Sequence, residues 1–466
     1  FCDGDHGNLG SRYVVAFKNG ANHFISRYSQ GGYFLIYSAR ANVKISKVMM
    51  WFLYSQGGFP FLILCFAFLG VIIFSLIYFT FPGRPFLMVP LLILSYSAIQ
   101  LVWGVRPQIF NILLLALFIY VLEGVRWKRL NWKWLYGLPF LILLWANLHS
   151  GYFMGIMVLM IYLAGGACEV FCFRSEQETL SPKILRHLVQ VLLLCFLFSI
   201  VNPNGYHLWI YPFMTLKSKV MQEHIDEWQS PNFHRQDFWP FLILLGLGVL
   251  SFMFLKKRAR SVDVFLFLST LAAALLSRRH IPFFAIAVIP MLSRNLMEIA
   301  QSSRLGEFLS GKLPDAPMTW PKNIFNGLVI LAGILGVSFF VFSKISNNEQ
   351  AILKKYPVTA VDFLLKKGIS GKRIYNEYAW GGYLIWREVP VFIDGRADMY
   401  GDQFFSSYLD TYQLKKDWEA PLRKFQVDHI LISSQGALHS FFSIHPKWKE
   451  IHQDKTASVF LRRGSY

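Results

Sequence analysis

Uncharged apolar runs recur along this chain and constrain its fold more than any other feature. Residues 59–80, 85–104, 239–255 and 324–342 carry no charged side chain. About 20 apolar residues in a helix cross the ~30 Å hydrocarbon layer of a bilayer. In that layer every backbone polar group must be bonded within the segment, so helices are the expected form. Further apolar runs follow the Arg106-Pro107-Gln108 stretch as far as 122, and occupy 135–148, 151–171, 188–201, 262–276 and 281–292. Together they predict about ten spans. The run 135–148 is short for a span, which tilting or partial submersion would accommodate.

Residues 1–58 do not form a span, although 43–54 is apolar enough for an interfacial helix. Residues 202–238 read as a long polar loop and 293–323 as a polar linker. From 343 onward the composition becomes that of a soluble domain. There, 357–367 predicts a helix stopped by Gly368. Residues 373–378, 391–394, 427–432 and 458–461 predict strands, and 404–425 one or two helices. The expected fold is mainly α: a polytopic transmembrane helical bundle over 59–343, with a small α/β domain over 344–466.

The net charge of +19 has a bearing on partners. In a soluble protein it would suggest nucleic acid. Here much of it lies in short loops between apolar runs, and no aromatic-and-basic nucleic-acid module is visible. Mean hydropathy is +0.39, in keeping with a membrane protein. Four of the five cysteines lie in or beside apolar segments and read as buried hydrophobes rather than a disulfide frame or metal site. The chain opens at Phe1 rather than Met, so further sequence, with a membrane helix, is expected upstream.

Basic loops set a topology. Arg126, Lys128, Arg129 and Lys133 form one, and Lys256 to Arg260 another; both should face the cytoplasm. Counting spans between them agrees. The same count places Arg106, Asn147, His149, the 202–238 loop and Arg278-Arg279-His280 outside. Asp3, Asp5 and the C-terminal domain also fall outside, so residues 1–58 read as an extracytoplasmic loop with an interfacial helix.

Each of these residues has a plain reading. Asn147 and His149, in Trp145-Ala146-Asn147-Leu148-His149-Ser150-Gly151, can be a polar turn at the membrane surface. Arg106 can be an interfacial anchor, and Arg278 and Arg279 can snorkel to headgroups. Glu227, Asp3 and Asp5 can be solvated charges. Taken together, outside acids and outside arginines beside a membrane suit a lipid-phosphate substrate, because arginine matches phosphate geometry.

These residues resemble a family. Arg106-Pro107-Gln108, Trp145-x-Asn147-Leu148-His149-x-Gly151, Asn202-Pro203-x-Gly205 and Glu227-Trp228-x-Ser230-Pro231 look like bacterial membrane proteins of the GT-C glycosyltransferase superfamily. Arg278-Arg279-His280-Ile281-Pro282-Phe283 and the later Trp380-Gly381-Gly382-Tyr383 and Phe392-Ile393-Asp394-Gly395-Arg396 fit the same group. The resemblance implies sugar transfer from a polyprenyl-phosphate donor, outside the bacterial cytoplasmic membrane. It implies Asp3 or Asp5 as the catalytic base, with Arg106, Gln108, Asn147, His149, Glu227, Arg278, Arg279 and His280 binding substrate. Two carboxylates could also hold a divalent metal; nothing in the sequence demands one.

Three functions remain open on the sequence. The first is an inverting glycosyltransferase using a lipid-linked donor, with the sugar and acceptor unassigned. The second is a non-catalytic relative serving as a structural or assembly subunit of a membrane complex, favoured by the lack of an acidic-Trp pair near 37–40. The third is a lipid or solute transporter, against which the soluble domain and the lack of internal repeats count. The C-terminal glycine motifs are explained by turn chemistry, or else the domain caps the cavity or binds acceptor.

Overall fold

A computed structural model describes residues 45–82, 84–100, 102–172, 180–300, 306, 320–369 and 373–464. The protein is mainly helical, at 72% helix. It divides into two compact units, one formed by 42–217 and 222–341, the other containing 342–466 and 218–221. The expected catalytic acids, Asp3 and Asp5, lie outside the described residues.

Along residues 45–346 the helices are α1 (Ile45–Tyr78), α2 (Pro85–Ile99), α3 (Gln108–Arg126), α4 (Leu138–Leu148), α5 (Tyr152–Ala167), α6 (Pro182–Ser199), α7 (His207–Lys217), α8 (Lys219–His224), α9 (Trp239–Met253), α10 (Ser261–Leu276), α11 (Ile281–Ala287), α12 (Ile289–Ala300) and α13 (Trp320–Ser346). Local sequence explains several boundaries. Ser181 caps α6, its hydroxyl accepting from Ile184 N–H, and Pro182 follows in the first turn, where a missing N–H costs nothing. Within α1, Gly57 and Gly58 leave helical geometry, with Gly58 at φ +63. The segment beginning at Ile45 is therefore a separate arm joined to the longer helix at a kink.

Among the described residues, five helices are long and apolar enough to cross a membrane, or six if α11 and α12 form one broken span. That is fewer than the apolar runs suggested. At 1.5 Å per residue, α2 with 15 residues and α10 with 16 reach roughly 22–24 Å, short of the ~30 Å layer. α11 and α12 meet at a 47° bend. Pro290, second in α12, cannot donate the N–H that would continue α11.

Burial orders the helices. α3 is 72% buried and packs against α1, α4, α5 and α11, so it is the central element. The candidate spans α1, α6 and α9 are only 28% buried, and present side chains such as Phe68, Leu193 and Met253 to the exterior. Two expected irregular regions are structured. The 202–238 loop holds α7 and α8, and α7 carries the exposed apolar residues Ile210, Phe213 and Met214 on its surface. The 293–323 linker begins inside α12, where Ser293, Arg294 and Asn295 are buried.

The second unit continues with α14 (Asn348–Lys355) and α15 (Val358–Lys366), then β1 (Ile374–Asn376), α16 (Gly381–Trp386), α17 (Ala397–Tyr412), α18 (Glu419–Lys424), β2 (His429–Ser433), α19 (Ala437–Ile444), β3 (Trp448–Gln453) and β4 (Ala457–Arg462). The sheet order is β1-β2-β4-β3, with β1 parallel to β2 and the other pairs antiparallel. Gly368, at φ +66, follows α15 as expected. Its core joins Val361 and Leu364 of α15 to Ile374, Leu431 and Val459 of the strands.

The expected strand at 391–394 does not form. The buried Asn376 side chain takes its ladder position: Oδ1 accepts from Phe392 N–H at 2.8 Å and Nδ2 donates to Ile393 O at 2.9 Å. The sheet's fourth strand is β3, whose alternation is hidden by Lys449, Glu450 and His452 on an edge. The glycine motifs have a packing explanation. A methyl on Gly381 would stand 2.3 Å from Ile393 O, and Asp394 is fixed by Arg396 and by Tyr400 Oη at 2.7 Å.

Candidate functional site

α3 carries a polar cluster at each end. At its first turn, Gln108, Asn111, Ile112 and Leu115 share one helix face, following the i, i+3, i+4, i+7 spacing, and form one wall of a cleft. Arg106, Glu227, Arg279, Pro282 and Phe283 complete much of the rest. The cleft holds about 550 Å³ including its open mouth. Amides and charges lie toward the start of α3 and apolar side chains deeper along it.

A strap of chain shapes the mouth. Ser277 Oγ donates to Glu227 O at 2.9 Å, and Arg278 N–H donates to Gln229 O at 3.0 Å. Arg278 Nη1 pairs with Asp226 at 2.9 Å, and its guanidinium lies over the Phe238 ring. Arg278 is therefore committed to holding the 226–230 loop and does not line the cleft. Glu227 points the other way and pairs with Arg106 at 2.8 Å.

Arg279 differs from both. Its guanidinium stacks over Trp228 at 5.0 Å and lines the cleft. Among the described residues no carboxylate pairs with it. A half-buried arginine held by an indole, with its fork uncommitted, is suited to an anion. His280 sits beside Trp228, with ring centroids 6.5 Å apart, and does not line the cleft.

The Trp145–Gly151 stretch braces the opposite wall. Trp145 Nε1–H donates to Asn111 Oδ1 at 2.7 Å. An indole only donates, so the amide orientation is fixed, and Asn111 Nδ2 donates to His149 Nδ1 at 2.9 Å. Gly151 N–H donates to the same nitrogen at 3.0 Å. His149 Nδ1 is thus an acceptor, and in the neutral ring the proton belongs on Nε2. His149 acts on the cleft through Asn111 and does not line it. Asn147 turns elsewhere, its Nδ2 donating to Leu143 O and Val201 O, both at 2.9 Å.

Of the residues expected to bind substrate, the structure brings Arg106, Gln108, Glu227 and Arg279 into one cleft. Asn111 was not anticipated, although an Asn one turn after Arg106-Pro107-Gln108 in an apolar run is a visible signal. Gly151 is required by this brace: a methyl there would stand 2.5 Å from Asn111 Oδ1. Gly151→Ala is expected to lose about 1–3 kcal/mol of stability through overpacking. Thermal unfolding in detergent measures it, and an unchanged Tm would show that the brace yields freely.

The other end of α3 was not anticipated as a site. Arg126, expected in an exposed basic loop, is the last residue of α3, and its side chain is fully buried. It pairs with Asp263 of α10 at 2.5 Å and with Glu123 at 3.2 Å. Arg294 of α12 pairs with Glu123 and, at 3.1 Å, with Asp263. Tyr162 Oη donates to Glu123 at 2.6 Å, and Glu169 accepts from Val262 N–H at 3.2 Å. The guanidinium of Arg294 lies 4.9 Å from the Trp127 ring, and that of Arg260 5.1 Å. This network ties α3, α5, α10 and α12 together. Charges at the edges of apolar runs, and Asp263 within one, are its sequence signal, but the partners of Glu123 are up to 171 residues away.

Among the described residues no three His, Cys, Asp or Glu side chains gather as a metal site. The fold and cleft define a mainly helical protein with membrane-length apolar helices and an arginine-lined cleft suited to an anion. Compared with known proteins, the chain matches no family model and no curated protein.

Proposed function

We propose that the chain is a multi-pass protein of the bacterial cytoplasmic membrane that transfers a sugar from a polyprenyl-phosphate donor to an acceptor outside the cytoplasm. Arg279 carries this reading: a guanidinium with no carboxylate partner among the described residues, stacked on Trp228 in a cleft whose deeper wall is apolar. In this reading the phosphate sits at Arg279 and the lipid chain lies along the apolar side chains beyond it. The exposed apolar side chains of α1, α6 and α9 are the surface a bilayer would cover.

In the reaction, an acceptor hydroxyl oxygen attacks the anomeric carbon while the carbon–oxygen bond to the lipid phosphate breaks. A carboxylate takes the hydroxyl proton, the role expected of Asp3 or Asp5. Arg279 stabilises the charge growing on the phosphate. Membrane lipids and the acceptor are the partners this reading requires. The test is transfer by purified protein in vesicles supplied with hexosyl and pentosyl polyprenyl phosphates. Transfer supports the reading; neither transfer nor hydrolysis with any donor overturns it.

A second reading, a non-catalytic subunit of a membrane complex, is favoured by one observation. Among the described residues the carboxylate lining the cleft is Glu227, and it is already paired with Arg106. Donor binding without turnover is its signature.

Orientation has its own test. Arg126 is spent internally, but Lys128, Lys256, Lys257 and Arg258 remain exposed and should face the cytoplasm. On the ten-span count of the sequence, the C-terminal unit would lie outside. Gln435→Cys, at an exposed position in a background lacking the native cysteines, should react with an impermeant maleimide on spheroplasts. Reaction only after the membrane is opened reverses the topology.

A further inference from the structure

We propose that Asn111 is the specificity residue of the cleft and that it reads a hydroxyl adjacent to the anionic group bound at Arg279, an inference that rests on the reading of the cleft as a sugar-phosphate site. An amide side chain has two N–H donors and two acceptor lone pairs. In Asn111, Trp145 occupies one lone pair and His149 takes one N–H. One donor and one acceptor remain, on a side chain that forms the cleft wall. That is the complement of a hydroxyl, which both donates and accepts.

The amide is also prevented from turning. The Trp145 indole can only donate, so it holds Oδ1 in place, and Gly151 lets the amide lie against the backbone. Gln108, one turn earlier on the same face, adds a second amide to the wall. A bare anion can use the remaining N–H of Asn111 but not the remaining lone pair of its Oδ1, because an anion offers no donor. A ligand bearing hydroxyl groups beside its phosphate uses both, and the missing hydroxyl would leave the amide unpaired in a site built to satisfy it.

The experiment compares two probes on the full-length protein in detergent: inorganic phosphate and a hexose 1-phosphate. The wild type is expected to prefer the hexose phosphate. Asn111→Leu should remove roughly three- to tenfold of that preference, read as the ratio of the two affinities and worth about one neutral hydrogen bond. Trp145→Phe leaves the amide but frees it to rotate, and should erode the preference partially. If Asn111→Leu keeps the full preference, the specificity role is overturned. If Asn111→Leu does not fold, the Trp145→Phe result decides: a full preference there overturns the proposal. Failure of the underlying reading looks different, because Arg279→Ala would then bind both probes as the wild type does.

Discussion

Arg294→Met is expected to destabilise the helical unit by about 3–5 kcal/mol, the loss typical when one partner of a buried ion pair is removed. Arg294 is 8% exposed and faces Glu123 and Asp263, which are 1% and 2% exposed. Removing its charge leaves Glu123 and Asp263 paired with Arg126, which also lies 3.7 Å from the buried Glu169. Their repulsion and desolvation are then uncompensated. The measurement is the unfolding midpoint in mixed micelles, and a shift worth less than about 0.5 kcal/mol, within the range of ordinary surface changes, would show the network to be energetically idle. Replacing Glu123, Arg126, Asp263 and Arg294 together by leucine or methionine is expected to recover most of the stability, because a buried ion cluster often gains little over well-packed apolar side chains. Loss in the single variant and recovery in the quadruple one separates an unpaired-charge effect from simple loss of packing.

The larger functional effect is expected at Arg279. A charge-assisted hydrogen bond contributes about 1.5–3 kcal/mol, so Arg279→Ala should weaken donor use ten- to a hundredfold or more. Arg279→Lys should restore only part, because it keeps the charge but loses both the fork and the stacking on Trp228. Arg278→Ala tests the division of labour between the neighbouring arginines. Arg278 holds Asp226 and the backbone of the 226–230 loop, so its loss should loosen that loop, with increased proteolysis there, more than it weakens phosphate binding. Donor binding and transfer are measured at matched protein levels. Equal use of donor by wild type and Arg279→Ala would remove the phosphate role, and full rescue by lysine would reduce Arg279 to a headgroup anchor.

Much of the helical architecture was legible because apolar runs and their breaks are local properties. The start of α3 after Arg106-Pro107, the end of α15 at Gly368 and three of the four strands follow from such signals. Number and length of spans were less legible. An apolar run records what a segment can bury, but α2 and α10 stop at 15 and 16 residues, and Pro290 stands at the bend between α11 and α12. The strand expected at 391–394 failed for a related reason: its sequence suits a strand, yet the side chain of Asn376, 16 residues earlier, occupies the hydrogen-bonding groups a neighbouring strand would need.

The cleft was partly legible. Arg106, Gln108, Glu227 and Arg279 stand out as polar residues at breaks between apolar runs, and the sequence alone determined that they belong to such breaks. It also determined the apolar helices, the basic loops and the change to a soluble composition near 343. Only the tertiary structure decided which of two adjacent arginines is committed to a loop and which faces the cleft, since Arg278 and Arg279 are chemically identical and differ only in what folding places beside them. The same holds for Asn111, oriented by an indole 34 residues away, and for Glu123, Asp263 and Arg294. A charge in or beside an apolar run needs a partner if it is buried, because burial without one is too costly. Which partner it is depends on helix packing between distant segments, and that is a property of the fold.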